Sequence, residues 1–187
     1  MSGSCNSDAS PGEETEREPI MQSLASRILL LAGVLACIPA SAQQASPQPF
    51  RQPAYGESIT FEQAKAVAAA ALREAESHHW PSSIAVVGTT GELAFFEHMD
   101  NTSVASIDLS IQKARTTARF RSPTGRFAER IAAGLQNAYL LTFDGMIAGP
   151  GGNLIVVGNK VIGAIGVSGT TGPQDEQVSL AGANALK

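Results

Sequence analysis

Residues 149–177 read GPGGNLIVVGNKVIGAIGVSGTTGPQDEQ, and this stretch decides the fold. Two apolar, β-branched runs, 154–157 and 160–167, flank Gly158-Asn159, a pair that tolerates the positive φ of a two-residue hairpin turn. A β-hairpin is therefore expected. Gly163 and Gly166 interrupt its second strand. Glycine inside a strand marks a bulge or the close approach of another backbone, a helix or a flat ligand, and close helix packing is the plainest of these. After residues 168–172, Pro173 suits a first helical position, and Asp175 and Glu176 set negative charge against a helix N-terminus. A terminal helix to about Leu186 should follow.

Working back along the chain, Thr60 with Gln63 forms a helix-capping pair, and Ala64, Val67, Ala68, Ala71, Leu72 and Ala75 recur behind it at helical spacing. This helix should end near His78, since Pro81 forces the residue before it out of helical geometry. Residues 83–87 and 92–97 read as neighbouring antiparallel strands joined by Gly88-Thr89-Thr90-Gly91. Residues 104–120 return to helical spacing, with Ile107, Ile111, Ala114 and Ala118 on one stripe and Asp108, Arg115 and Arg119 on another face. Residues 122–125 break the pattern. Residues 127–141 suit a short helix weakened by Gly134 and Asn137, and Met146-Ile147 suits a short strand. Hairpin-joined strands with long helices before and after imply an α+β fold, an antiparallel sheet flanked by helices, rather than alternating βαβ units.

The 187-residue chain carries a net charge of −4 with its basic residues dispersed, which argues against a nucleic-acid partner. Residues 28–38 form a short apolar segment preceded by Arg27 and followed by Ala40-Ser41-Ala42, the small-x-small pattern of a signal-peptidase site. Export to a periplasmic or extracellular location is expected. The segment is shorter than the roughly twenty residues needed to span a bilayer, so no stable transmembrane anchor is expected. Glu13, Glu14, Glu16 and Glu18 give the region before Met21 the wrong charge for an export signal, which points to a start at Met21. Residues 1–42 are thus read as an extension and signal peptide cleaved after Ala42, and the Pro-, Gln- and Ser-rich residues 43–58 as a flexible leader. Lipidation at Cys37 is the alternative anchor. Cys5 and Cys37 are the only cysteines, so no disulfide staples the domain and no C-x-x-C-H haem attachment is present.

Taken together, the hairpin segment, residues 59–65 (ITFEQAK), residues 84–87 (IAVV) and Lys113-Ala114-Arg115-Thr116 resemble the GlcG/HbpS family of haem-binding and haem-degrading-domain proteins. The likeness runs from residue 59 to 187. It implies a profilin-like three-layer α/β/α fold, non-covalent haem as cofactor and self-association into a homo-oligomer. The function it implies is haem capture, storage or sensing. Two alternatives stand beside it: an accessory enzyme acting on a small carboxylate, and a non-catalytic oligomeric scaffold. Ser168-Gly169 is not a nucleophile elbow, and no Ser, His and carboxylate fall at triad spacing, so no catalytic residue is assigned.

Lys113, Thr116, Thr117 and Phe120 lie three or four apart and can share one helix surface. In the family, the K-A-x-T pattern belongs to the segment implicated in haem binding. The resemblance therefore places Thr116 nearest the iron or its bound water and Lys113 nearest a propionate. The residues alone favour helix packing at Thr116 and a solvated charge at Lys113. Arg115 and Arg119 could jointly hold a carboxylate, or pair with Asp108 as a surface stripe. Where the family commonly has arginine this chain has His98, an alternative haem-iron ligand or a polar residue at a strand end. Met99, its neighbour, should point to the opposite face. His78 and His79 suit a helix C-terminus, and Gly149-Pro150-Gly151-Gly152 suits either an anion-binding loop or a tight chain reversal.

Overall fold

The hairpin at Gly158-Asn159 is the centre of the architecture in the computed structural model, which describes residues 52–187. The elements in chain order are β1 (Ala54–Tyr55), α1 (Phe61–Ser77), β2 (Ser83–Gly88), β3 (Leu93–His98), α2 (Ala105–Phe120) and α3 (Gly125–Ala132). A 3-10 helix (Leu135–Thr142), β4 (Gly152–Val157), β5 (Lys160–Ser168) and α4 (Gly172–Ala183) complete the chain. The export signal, its cleavage point, both cysteines and the leader as far as residue 51 lie outside the described residues. No helix among the described residues is long and apolar enough to cross a membrane.

Gly158 and Asn159 adopt φ of 56° and 62°, the mirror-image turn whose twist suits a hairpin, and Val157 pairs with Lys160 across it. β5 takes β4 on one edge, with Gly152 opposite Gly166, and β2 on the other, with Ser83 opposite Ser168. β3 extends the sheet beyond β2, giving the antiparallel order β4-β5-β2-β3. β1 departs from the expected all-antiparallel sheet: Ala54 and Tyr55 pair in parallel with Lys160 and Val161. β2 leaves that edge of β5 vacant before Gly163, and β1 fills it.

Alternation along the strands divides the core into two faces. Ile84, Val86, Ile165 and Val167 meet α1 and α4 through Val67, Ala71 and Val178, whereas Ala85, Val87 and Ala164 meet α2 through Ala114 and Ala118. The result is a three-layer α+β fold. The seam under α2 is built from small residues because the helix lies close: a Cβ on Gly166 would stand 2.1 Å from the Ser110 carbonyl oxygen. Helix packing is thus what this strand glycine serves.

The helix ends follow the expected chemistry. Thr60 Oγ1 accepts from Gln63 N at 3.3 Å, and Gln63 Oε1 accepts from Thr60 N at 3.0 Å. His78 caps the far end of α1, stacks on Trp80 at 4.3 Å and approaches Glu74 at 3.3 Å.

Three local expectations change. Residues 52–58, read as leader, are tied to the domain: Gly56 N donates to Val161 O at 2.8 Å and Ile59 N to Ile162 O at 2.7 Å. Residues 127–141 divide into α3 and the 3-10 helix at Gly134, whose φ is 149°. Met146-Ile147 is loop rather than strand, because the Ile147 N–H goes to Thr116 Oγ1 at 3.1 Å and not to a neighbouring strand.

Candidate functional site: a groove along the C-terminal half of helix α2

Four turns of helix bring the expected residues to different surroundings. Lys113 is turned inward, only 6% exposed, and its ammonium donates to Asp175 Oδ2 and to Val167 O, both at 2.8 Å. Asp175 also accepts from Thr170 N at 3.2 Å and Thr170 Oγ1 at 3.1 Å. This buried ion pair fastens α2 to the end of β5 and the start of α4. As placed, the Lys113 ammonium is spent on its own protein and has no free path to a propionate.

Thr116 is buried, donates to Gly145 O at 3.2 Å and accepts from Ile147 N, so it pins the loop over residues 145–147 against α2. Thr117 is fully buried, and its hydroxyl has no hydrogen-bond partner. A Cβ on Gly152 would reach to 2.5 Å from that oxygen, so Thr117 serves the packing of α2 on β4. Phe120 stacks on Phe143 at 5.8 Å and meets Phe127 edge-on at 5.4 Å.

Arg115 and Arg119 stand apart from these. Arg115 Nε donates to Gly91 O and one Arg119 amino group to Asp144 O, both at 3.2 Å. Neither is ion-paired with a carboxylate among the described residues, so the Asp108 stripe does not form. Three surface hollows converge here, two of them lined by both arginines. One of about 430 Å³ is lined by Tyr55, Thr89, Thr90, Gly91, Arg115 and Arg119. A second of about 360 Å³ is lined by Arg119, Phe120, Thr142, Phe143 and Asp144. The third, about 270 Å³, runs between them past Gln112, Thr116 and Gly145. Arg119 borders all three. The groove is thus polar and cationic toward the β2–β3 turn and aromatic toward Phe143. A separate hollow of about 380 Å³ beside Gln52, Val156 and Asn159 is lined by no charged residue.

His98 lies beside the other end of α2. It pairs with Ser83, and Ser83 Oγ touches Ser106 Oγ at 2.6 Å in the first turn of α2. Ser106 and Thr116 are ten residues apart, roughly 15 Å along a helix, so His98 and Thr116 are at separate sites. His98 is exposed while Met99 packs on the core, the opposed placement expected for neighbours on a strand. Among the described residues no group of three or more His, Cys, Asp or Glu side chains could hold a metal ion. The 149–152 loop offers no free anion cradle at its centre: Gly151 N donates to Glu176 Oε2 at 2.6 Å and Gly152 N to Thr124 Oγ1 at 2.9 Å.

A family model described as haem degrading protein HbpS-like matches residues 59–184. The chain belongs to the HbpS-like family. Protein GlcG of Escherichia coli strain K12 is 37% identical over 110 residues, which is 59% of this chain and 81% of GlcG. The solved structure of a double-mutant HbpS of Streptomyces reticuli superposes with a TM-score of 0.65 at 30% identity, covering 76% of this chain and 98% of that one. A structure described as a PduOC–haem complex shares the fold with a TM-score of 0.64 at 19% identity, covering 70% of this chain and 96% of its own.

Several residues of the groove carry no sequence signal of their own. The composition around Tyr55 reads as a leader, and Thr89 and Thr90 read as a turn. Phe143 and Asp144 follow the 3-10 helix and reach the groove only because Thr116 and Arg119 hold residues 144–147.

Proposed function

We propose that this chain binds haem non-covalently, for capture, storage or sensing, in the groove along α2. The observation that carries the reading is the pair of guanidiniums without carboxylate partners at Arg115 and Arg119, set between a polar hollow and the Phe120–Phe143 stack. A flat aromatic macrocycle bearing two carboxylates matches that combination: rings favour aromatic walls, and guanidinium is the preferred partner of carboxylate. The arginines take the propionate role expected of Lys113. Thr116 borders the groove and holds its rim. Family membership supports the same ligand, as does the haem named in the PduOC complex.

Titration with haemin tests the proposal. A saturable Soret shift is expected, and Arg115→Ala with Arg119→Ala should weaken it by roughly 10- to 100-fold, the range of a charge-assisted hydrogen bond or two, with the fold retained. Thr116→Ala should move the Soret position if the groove rim sits near the iron. Absence of a saturable shift would defeat the proposal. A small carboxylate held at the same arginines is the second reading, favoured by the hydroxyl-rich hollow at Thr89 and Thr90. Turnover or saturable binding of a small acid, without a Soret response, would put it first. Export, from residues 27–42, and self-association, from the resemblance and the exposed run Leu135, Tyr139 and Leu141, complete the proposal.

A further inference from the structure

Residues 52–55 lie outside the family-matched segment, yet they are fastened to the helix end that carries the groove. The last carbonyls of a helix have no partner within it. In α2, ended by Arg121 in the left-handed conformation, that need is met from residues 52–55, which form a strap across the helix end: Tyr55 Oη donates to Ala118 O at 2.6 Å and Gln52 Nε2 to Phe120 O at 3.0 Å. Arg121 returns a bond to Pro53 O at 3.2 Å and lays its guanidinium 4.9 Å from the centre of the Tyr55 ring. The last turn so held bears Arg119 and Phe120.

Capping accounts for the phenol hydroxyl but not for the ring. Tyr55 remains 42% exposed and lines the polar hollow with Arg115 and Arg119. An aromatic face on the side of the arginines opposite Phe120 and Phe143 gives the groove a second ring wall. We propose that Tyr55 is a ligand-contacting, specificity-determining residue of this chain, its ring held against the ligand by the strap and Arg121. The inference rests on the groove being the haem site. Its ligand class is a flat ring system whose carboxylates reach Arg115 and Arg119, and the strap restricts how such a ligand leaves.

The test measures haemin affinity and the rate of haem transfer to excess apomyoglobin, using the whole chain. Tyr55→Ala should release haem about tenfold faster, the effect of losing one aromatic wall, while Tyr55→Phe, which loses the cap but keeps the ring, should release it at close to the unaltered rate. Arg121→Ala should speed release less than Tyr55→Ala does. If Tyr55→Phe releases haem as fast as Tyr55→Ala, the ring is not a wall and the proposal falls. It falls equally if Tyr55→Ala releases haem at the unaltered rate while Arg119→Ala weakens binding, which leaves the groove standing without the strap. If neither substitution alters haem binding, the groove reading fails and the strap proposal with it. Should Tyr55→Ala not fold, amide hydrogen exchange of residues 54–56 in the unaltered protein decides: slowing on haemin addition supports the wall, and unchanged exchange overturns it.

Discussion

The Nδ1 of His98 stands 2.7 Å from the Ser83 hydroxyl, so the place of the ring proton follows from which way that hydroxyl donates. Ser106 Oγ donates its only proton to Ser103 O at 2.5 Å. Ser83 must then donate to Ser106, 2.6 Å away, because otherwise two lone pairs would face each other. Ser83 has no proton left for His98, so neutral His98 bears its proton on Nδ1 and leaves Nε2 free. Nitrogen-15 NMR should show the Nδ1–H tautomer, and Ser106→Ala should release it into a mixture. With haem at α2, His98→Ala should leave the Soret shift in place. Loss of the shift in His98→Ala, with Arg115→Ala and Arg119→Ala unaffected, would move the iron site to the β3 end.

Removing Lys113 should cost stability rather than haem contacts. Lys113→Ala leaves the Asp175 carboxylate buried without its cation, a change worth about 3–5 kcal/mol in such sites. Replacing both partners, Lys113→Met with Asp175→Leu, should recover much of that loss, because no stranded charge remains. Urea unfolding of the two singles and the double would show this coupling. A stable Lys113→Ala protein with weakened haem binding would restore the lysine to the ligand.

Glu92 contributes to the acid side of the stability profile. Its carboxylate accepts from Ser58 Oγ at 2.6 Å and from Thr90, and the Ser58 bond, then that of the Thr90 hydroxyl, lower its pKa below the ordinary 4.5. A lowered folded-state pKa means that the contribution is fully present above 4.5 and is lost as pH falls through the lowered value. Glu92→Gln should therefore flatten the decline of the unfolding midpoint in that acid window and change little at neutral pH. Because Glu92 is largely exposed, the effect should be small and should shrink with salt.

Gly166→Ala should destabilise the protein by about 1–3 kcal/mol, the usual cost of forcing volume into a packed core. The added carbon meets the Ser110 carbonyl and the Ala114 amide nitrogen, which are backbone and cannot rotate aside. Thermal unfolding checks this directly. A neutral substitution would mean that α2 lies farther from β5.

What the sequence made legible was local. The Gly158-Asn159 turn, the Thr60–Gln63 cap and the short apolar run of β2 are each written in a few adjacent residues. Periodicity placed Lys113, Thr116 and Thr117 on one face of α2 but could not say what covers it. Asp175 is 62 residues from Lys113, and the loop that covers Thr116 is 29 residues away. The same limit hid β1. Two residues become a strand only where another strand leaves an edge vacant, and Tyr55 joins the groove only through carbonyls more than sixty positions ahead.

The strand that every layer shares is completed near the end of the chain. β5, residues 160–168 of 187, borders β1, β2 and β4, and both α2 and α4 rest on it. During synthesis, everything up to residue 159 emerges with its sheet split and its two helical layers lacking their common floor. Fragments ending before Lys160 should remain exposed to proteases and chaperones, and closure should follow once β5 and α4 have both emerged. A strand so central and so late leaves a long interval in which the emerging domain has both helical layers but no complete sheet to close them on.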